Sequence, residues 1–499
     1  MMKRILTVLL LVAMLLTSMS LAACNDTPDD PADDITDAPA ADDVTDAPAE
    51  TEPPVEEDRS AKSDLPADVN FEGMTANILV WQSSDNEFYS ETDSGEVISS
   101  SIYWRNLNAS ERLKLEILWN TIPGNAAAID SYTKTLESAC MSGDTSYDLM
   151  AAYARTTASC AVAGLLQDIG GLDYVDLDKK YYLQPSVEVG TIGNKTYFLT
   201  GDMCHSFLAR QSVVIFNNDL IQRYNLEDPY DIVLSGKWTV DKMAEMTSGV
   251  YEDLNSNNQR DDQDLYGIVG DILQVDCTYY AAGLKWVEKN ADNMPVLSDD
   301  ISSEAASNLV DKWINIFQQG GYVVKQDSAK EFESGNAIFW LFPVVGVTRG
   351  ALKETVDFTF GIVPQPKMDE TQENYIGSTT NYFTLWGCPI SIQESALSGA
   401  LLEVLAEEGN KTIIPAVFEQ AFKLKYNSDE SGRQSQIFDI LKSNVRCDMG
   451  KIFSVQLYDL PTSAYAGAVT RLNNNYMTIV GGQRRVIERT FNKLIESFQ

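Results

Sequence analysis

Between Asp253 and Asp264, oxygen-bearing side chains recur at Asp253, Asn255, Asn257, Gln259, Asp261 and Asp264, which are loop positions 1, 3, 5, 7, 9 and 12. This is the spacing of an EF-hand calcium loop, in which hard oxygen donors wrap a divalent cation and position 7 gives only its backbone carbonyl. Two residues depart from the pattern: Asn258 stands where glycine makes the sharp turn, and Asp264 replaces the closing bidentate Glu. Asn tolerates positive φ, and three carboxylates suit affinities matched to extracellular calcium. The loop is expected to hold a structural Ca2+; the alternative is an Asx-rich turn without metal.

Other chemistry is narrowed by what the chain lacks. His205 is the single histidine, so Ser-His-Asp or Cys-His catalysis has one available base, and no GxSxG elbow accompanies any serine. HExxH, Walker and dinucleotide glycine signatures are absent, so no redox or nucleotide cofactor is expected. Cys140, Cys160, Cys204, Cys277, Cys388 and Cys447 show no CxxC spacing, which leaves scattered thiols or disulfides of unreadable connectivity. Two carboxylates suffice for a glycosidase, so composition alone leaves glycan hydrolysis open. A net charge of -36 argues against nucleic acid and other polyanions as partners.

The elements that would position these groups follow an α/β pattern. Ile78-Leu79-Val80-Trp81 reads as a buried strand, Ile98 to Leu113 as a helix, and Leu115, Ile117 and Trp119 alternate as a strand does. A helix with Ile129, Tyr132, Leu136 and Cys140 on one face precedes a further strand at Tyr147 to Ala152. Ligands of such sheets meet the carboxyl ends of the strands, which places Trp81, Asp85, Glu87, Tyr153 and Arg155 at the mouth of a cleft. Later, Val213 to Phe216 reads as a strand, Asn217 or Asn218 as a helix cap, and Thr239 as the cap of the next helix. Asn336 to Trp340 and Phe358 to Val363 look like strands, and a stripe from Ile487 to Phe498 closes the chain as a helix.

The N-terminus reads as a secretory signal over residues 1–23, with Lys3 and Arg4 before the apolar run Ile5 to Leu16. Residues 24–68, rich in Asp, Glu, Pro, Ala and Thr, lack the apolar surface to fold and read as an extended tether. The remaining length exceeds what one core serves, favouring two lobes.

Leu21-Ala22-Ala23-Cys24 resembles the bacterial lipobox, which implies a lipid on Cys24 and an anchor on the outer face of the cell membrane. The chain as a whole resembles the extracellular solute-binding proteins of family 1, the sugar-type receptors of ABC importers. The resemblance rests on the lipobox, Ile78-Leu79-Val80-Trp81, Tyr147-Asp148-Leu149, Gly193 to Phe198 with Gly201-Asp202, Val214 to Leu220, Gly236-Lys237-Trp238-Thr239 and Gly335 to Phe339. It implies a two-lobed periplasmic-binding-protein type II fold, with lobe 1 at 69–210 and 356–390, lobe 2 at 211–355 and 391–499, and a hinge between them. Crossings are expected near Arg210 to Ile215, Thr355 to Phe360 and Tyr382 to Ile390. The implied function is that of a non-enzymatic, monomeric receptor handing a small polar ligand, most often a carbohydrate, to importer membrane subunits. Sugars need aromatic faces and hydrogen-bonding rims, which adds Asp202, Trp340 and Trp386 to the candidate ligand residues. A surface glycan hydrolase and a same-fold receptor for a non-sugar ligand are the alternatives.

Overall fold

A computed structural model describes residues 62–83, 86–142, 147–324, 328–348, 356–418 and 432–499. The signal segment, Cys24, most of the tether and Asp85 lie outside the described residues. The sheet strands, in chain order, are β1 (Thr75–Trp81), β2 (Glu116–Ile122), β3 (Leu149–Tyr153), β4 (Gln211–Asn217), β5 (Tyr266–Asp271), β6 (Gly321–Val324), β7 (Ala337–Pro343), β8 (Phe360–Pro364), β9 (Ser378–Thr379) and β10 (Thr384–Gly387). The helices used below are α1 (Val97–Leu113), α2 (Ile129–Ser142), α3 (Ala154–Val162), α4 (Ile272–Ala281), α5 (Ser395–Phe418) and α6 (Arg433–Ser443).

Two main sheets result, one per lobe, beside two short two-stranded ones. The first runs β10-β3-β1-β2, with β1 parallel to β2 and β3 and β10 antiparallel to β3. The second runs β6-β5-β7-β4-β8, with β9 paired to the start of β4. α1 and α2 link parallel strands, α3 packs on β3 and β10, and β3 is buried at every position. The helix starts follow local chemistry. Asn217 Oδ1 accepts from the backbone N–H of Asp219 and Leu220, and Thr239 Oγ1 from that of Lys242, satisfying donors that a helix start leaves unpaired.

The register brings the inner ends of both sheets together. Trp81, Tyr153 and Thr384 share one edge of the first sheet, since Thr384 pairs with Tyr153. Ser212, Pro343 and Ser378 share the facing edge of the second, as Ser212 pairs with both. The chain crosses between lobes just before Gln211 and returns between Thr379 and Thr384. The expected boundaries are corrected in one respect. Phe360–Pro364 stays in lobe 2, antiparallel to β4, and α5 packs on α1 in lobe 1. The second segment of lobe 1 therefore starts near 380, not 356, and extends past 390. Alternating apolar residues mark a strand but do not say which sheet it joins, and this is what the sequence pattern left open.

Candidate ligand site between the lobes

The lobe 1 side of the junction is aromatic. Trp81 ends β1 with its ring centroid 5.8 Å from that of Tyr153 and 5.1 Å from that of Tyr382, the latter edge-on. Gly124 lets the chain pass behind it, since a Cβ there would stand 2.6 Å from Trp81 Cβ. The Arg210 guanidinium lies 4.6 Å above the Tyr382 ring, a cation–π contact at the first crossing. Burial draws the Arg210 pKa below its usual value.

Beneath this layer a buried network fixes the crossing. Trp81 Nε1 donates to Thr384 Oγ1 at 2.9 Å, and Thr384 Oγ1 donates to the Glu87 carboxylate, which also accepts from Ser206 N at 3.1 Å. Arg105 donates to the carbonyls of Glu87, Phe88 and Met203, and burial draws its pKa down to about 10. Glu87 is 0% exposed, so it serves the crossing and not a ligand. His205 is buried nearby with neither ring nitrogen hydrogen-bonded. It is therefore not the oriented base of a catalytic triad.

The lobe 2 side is polar. Gln365 Nε2 donates to Ser212 Oγ at 2.9 Å, which donates to Gln274 Oε1 at 2.7 Å. Asp276 pairs with Lys451 at 3.0 Å, and Lys451 Nζ lies 4.8 Å from the centre of the Tyr280 ring. Burial works against the Lys451 charge, but Asp276 more than offsets it and holds that pKa above normal. Among the contacts that bridge the lobes are Arg155 to Asp459 at 2.6 Å, Gln456 Nε2 to Ser159 Oγ at 3.1 Å, Asn381 Nδ2 to Ser454 Oγ at 3.5 Å, and Asn293 Nδ2 to the Gly193 carbonyl at 2.8 Å.

Around this junction several shielded polar atoms have no hydrogen-bond partner. They are Gln365 Oε1, Asn381 Oδ1, Gln456 Oε1, Asp276 Oδ1, Tyr280 Oη and Arg155 Nε. Each such atom costs free energy, on the order of 1–3 kcal/mol, until something bonds to it. A recess of about 560 Å³ also opens between the lobes, with Glu188 and Val189 on one side and Tyr280, Lys285, Arg446 and Asp448 on the other. That volume lies in the range of small-molecule sites.

Of the expected ligand residues, Tyr153 and Arg155 reach the junction, Trp81 stands beside them as a buried support at 1% exposure, and three others lie elsewhere. Trp340 is 1% exposed in the lobe 2 core, stacked on Phe342 at 4.0 Å with Nε1 bonded to Ser328 Oγ. Trp386 is 0% exposed, edge-on to Trp119 and Phe88. Both sit on strands covered on both faces, so neither has a ring face left to stack on a solute. Asp202 bonds Asn410 Nδ2 at 2.7 Å and lines a separate, largely apolar recess with Phe207, Leu208 and Ile414. Arg210, Asp276, Asn381, Tyr382, Lys451 and Asp459 also lie at the junction and are not among the expected residues. The signal for Arg210 and Tyr382 was their place in two of the expected crossings, where a hinged cleft has its floor.

No protein-family model and no curated protein matches the sequence. Solved structures do match the fold. UgpB of Mycobacterium tuberculosis, determined with glycerophosphocholine, aligns with a TM-score of 0.53 at 14% identity, covering 84% of this chain and 99% of that one. An ABC substrate-binding protein of Listeria monocytogenes, bound to cycloalternan, gives 0.53 at 12% identity over 84% and 99%. The galacto-N-biose/lacto-N-biose I-binding protein of a Bifidobacterium longum ABC transporter gives 0.54 at 12% identity over 85% and 99%. The chain therefore has the two-lobed fold of ABC-transporter solute-binding proteins.

Proposed function

We propose that this protein is an extracytoplasmic solute-binding protein that captures a small polar ligand, a carbohydrate or oligosaccharide, between its lobes and delivers it unaltered to an ABC importer. The observation that carries this reading is the set of unpartnered polar atoms at the lobe junction. Four of the six are acceptors only, Gln365 Oε1, Asn381 Oδ1, Gln456 Oε1 and Asp276 Oδ1, beside the Tyr280 hydroxyl, which can donate or accept, and the donor Arg155 Nε. Acceptors need a ligand that donates. A polyhydroxylated solute brings one O–H donor per hydroxyl, whereas an ionised carboxylate or phosphate offers only acceptors. Tyr382, the half-buried ring of the cluster, supplies the apolar counterpart for the C–H faces of such a solute, with Trp81, itself 1% exposed, packed behind it.

Two of the structural neighbours have ligands of this chemical class, cycloalternan and lacto-N-biose, while UgpB was determined with glycerophosphocholine, an organic phosphate. Screening saccharides, polyols, peptides and organic phosphates by thermal shift tests the reading, because a ligand that binds only the folded state raises its stability. A neutral saccharide should shift the melting temperature and be recovered intact. A shift produced only by anions, or recovery of a shortened glycan, would sink the proposal.

We further propose that Cys24 carries the lipid that holds the receptor at the outer face of the membrane, with the acidic tether as spacer. Support comes from the Leu21-Ala22-Ala23-Cys24 sequence. Cys24→Ser should release the protein from the membrane fraction, and retention would reject the anchor.

A further inference from the structure

The loop from Asp253 to Asp264 does not gather the expected calcium site. Among the described residues no three acidic side chains converge there, Asn255 and Asn257 turn Nδ2 toward Asp261, and their Oδ1 atoms accept backbone N–H bonds from Asn257 and Gln259. Its own hydrogen bonds shape it as an Asx-rich turn. What carries further is the place where the two short hairpins meet. Thr191–Ile192 pairs with Lys195–Thr196, and Val287–Lys289 pairs with Pro295–Leu297. Leu199, just past the first hairpin, pairs with Trp386 of β10 in lobe 1. Trp286, just before the second, donates its N–H to the Asp448 carboxylate of lobe 2 at 3.1 Å. Each hairpin is thus fixed to its own lobe.

The two tips bond to each other. Gly193 N donates to the Asn293 carbonyl at 3.1 Å, and Asn293 Nδ2 donates back to the Gly193 carbonyl at 2.8 Å. Both residues sit in the left-handed region, at φ of 63° and 58°, which Gly and Asn enter with least strain. Behind the tips, Lys289 Nζ donates to the carbonyl of Glu188 and, at 2.5 Å, to that of Thr191. Those carbonyls lie at the end of the lobe 1 helix Gln184–Gly190, whose C-cap is Thr191. A lobe 2 cation therefore satisfies acceptors that a lobe 1 helix end leaves open.

These bonds form with no solute between the lobes, and neither hairpin belongs to a crossing. Gly193, Lys289 and Asn293 are each half-buried, so water can replace every partner once the tips part. Apolar contact extends the same seam: the Tyr197 and Phe498 rings stand 5.0 Å apart and those of Phe198 and Phe453 5.8 Å. Glu188 and Lys289 also line the recess of about 560 Å³, so the seam walls one side of it. We propose that the two hairpin tips are a clasp between the lobes, closed without solute, through which Gly193, Lys289 and Asn293 set the fraction of receptor ready to bind. A solute that requires closed lobes has its affinity scaled by that fraction. The clasp's part in capture rests on the receptor reading; its part in holding the lobes together does not.

Lys289→Met keeps the aliphatic stem and removes the ammonium donors, and Asn293→Asp keeps the left-handed turn while setting a carboxylate against the Gly193 carbonyl. The mature protein carrying both, dialysed free of solute, should show a larger radius of gyration in small-angle scattering. Amide exchange in the peptide holding Gly193 should be about three- to tenfold faster, the effect of losing one or two such bonds. Lys195→Met, at an exposed lysine of the lobe 1 hairpin, should change neither. Titration with the saccharide that the thermal-shift screen returns should give an affinity about three- to tenfold lower in the double variant. Unmoved scattering and exchange in that variant would overturn the clasp, whatever the protein binds. Opened lobes with an unchanged or higher affinity would overturn its part in capture while leaving the receptor reading in place.

Discussion

Replacing Asp459 by Asn removes one charge of the Arg155–Asp459 pair while keeping the side-chain shape. The two residues belong to different lobes and meet at 2.6 Å, with side chains 18% and 54% exposed. A pair so open to water is screened, which limits its contribution to about 0.5–1 kcal/mol. Because opening the lobes breaks the pair, that energy belongs to the closed state alone. Removing it lowers the closed-to-open ratio, and the affinity of a ligand that requires closure, by about two- to fivefold. The backbone should not respond, since Asp459 sits at φ of 53° and Asn accepts the left-handed region as readily as Asp. Isothermal titration of the saccharide found by thermal shift, at low and high salt, reads the effect, which should shrink as salt rises. An unchanged Kd would refute the latch, and a loss well beyond tenfold would mean that Asp459 contacts the ligand itself.

Trp386→Ala should lower unfolding free energy by about 3–5 kcal/mol through the cavity it leaves, while the folded fraction binds solute with nearly native affinity; the reverse pattern in denaturant melts and titrations would return Trp386 to the site. Asn381→Ala removes an unpartnered acceptor at the junction and should weaken solute binding about tenfold with little change in stability; unchanged affinity would detach Asn381 from the ligand. Burial raises the Asp448 pKa to about 6, so the folded state holds that proton to higher pH than the unfolded chain. Its contribution to stability is full below about 4 and is lost as pH rises through about 6. Urea midpoints should therefore show Asp448→Asn gaining on the parent between pH 4.5 and pH 7.5, and a constant difference would contradict the shift.

Much of the fold was readable because burial on both faces writes itself as short apolar runs. Ile78 to Trp81, Val213 to Phe216 and Ala337 to Trp340 are all strands, and Asn217 and Thr239 cap helices as their chemistry demands. The tryptophans were harder. An indole at a strand end serves a core as well as a cleft, and only the elements packed over a sheet decide which; at Trp81, Trp340 and Trp386 the core prevailed. The charged members of the junction left the weakest trace. Lys451 and Asp276 are far apart in sequence and ordinary in type, and their pairing exists only once α4 and the segment around Lys451 are packed together. Likewise Arg210 gains its meaning from Tyr382, a contact between the two crossings.

Hydrogen–deuterium exchange with and without saturating saccharide bears most directly on the claim that two lobes hold the solute between them. The account predicts slowed exchange on both sides of the junction at once, near Trp81, Tyr153 and Arg155 in lobe 1, near Asp276 and Lys451 in lobe 2, and along the crossings at Arg210 and Asn381 to Tyr382. Protection confined to a single lobe, or found only at surfaces remote from the crossings, would contradict it.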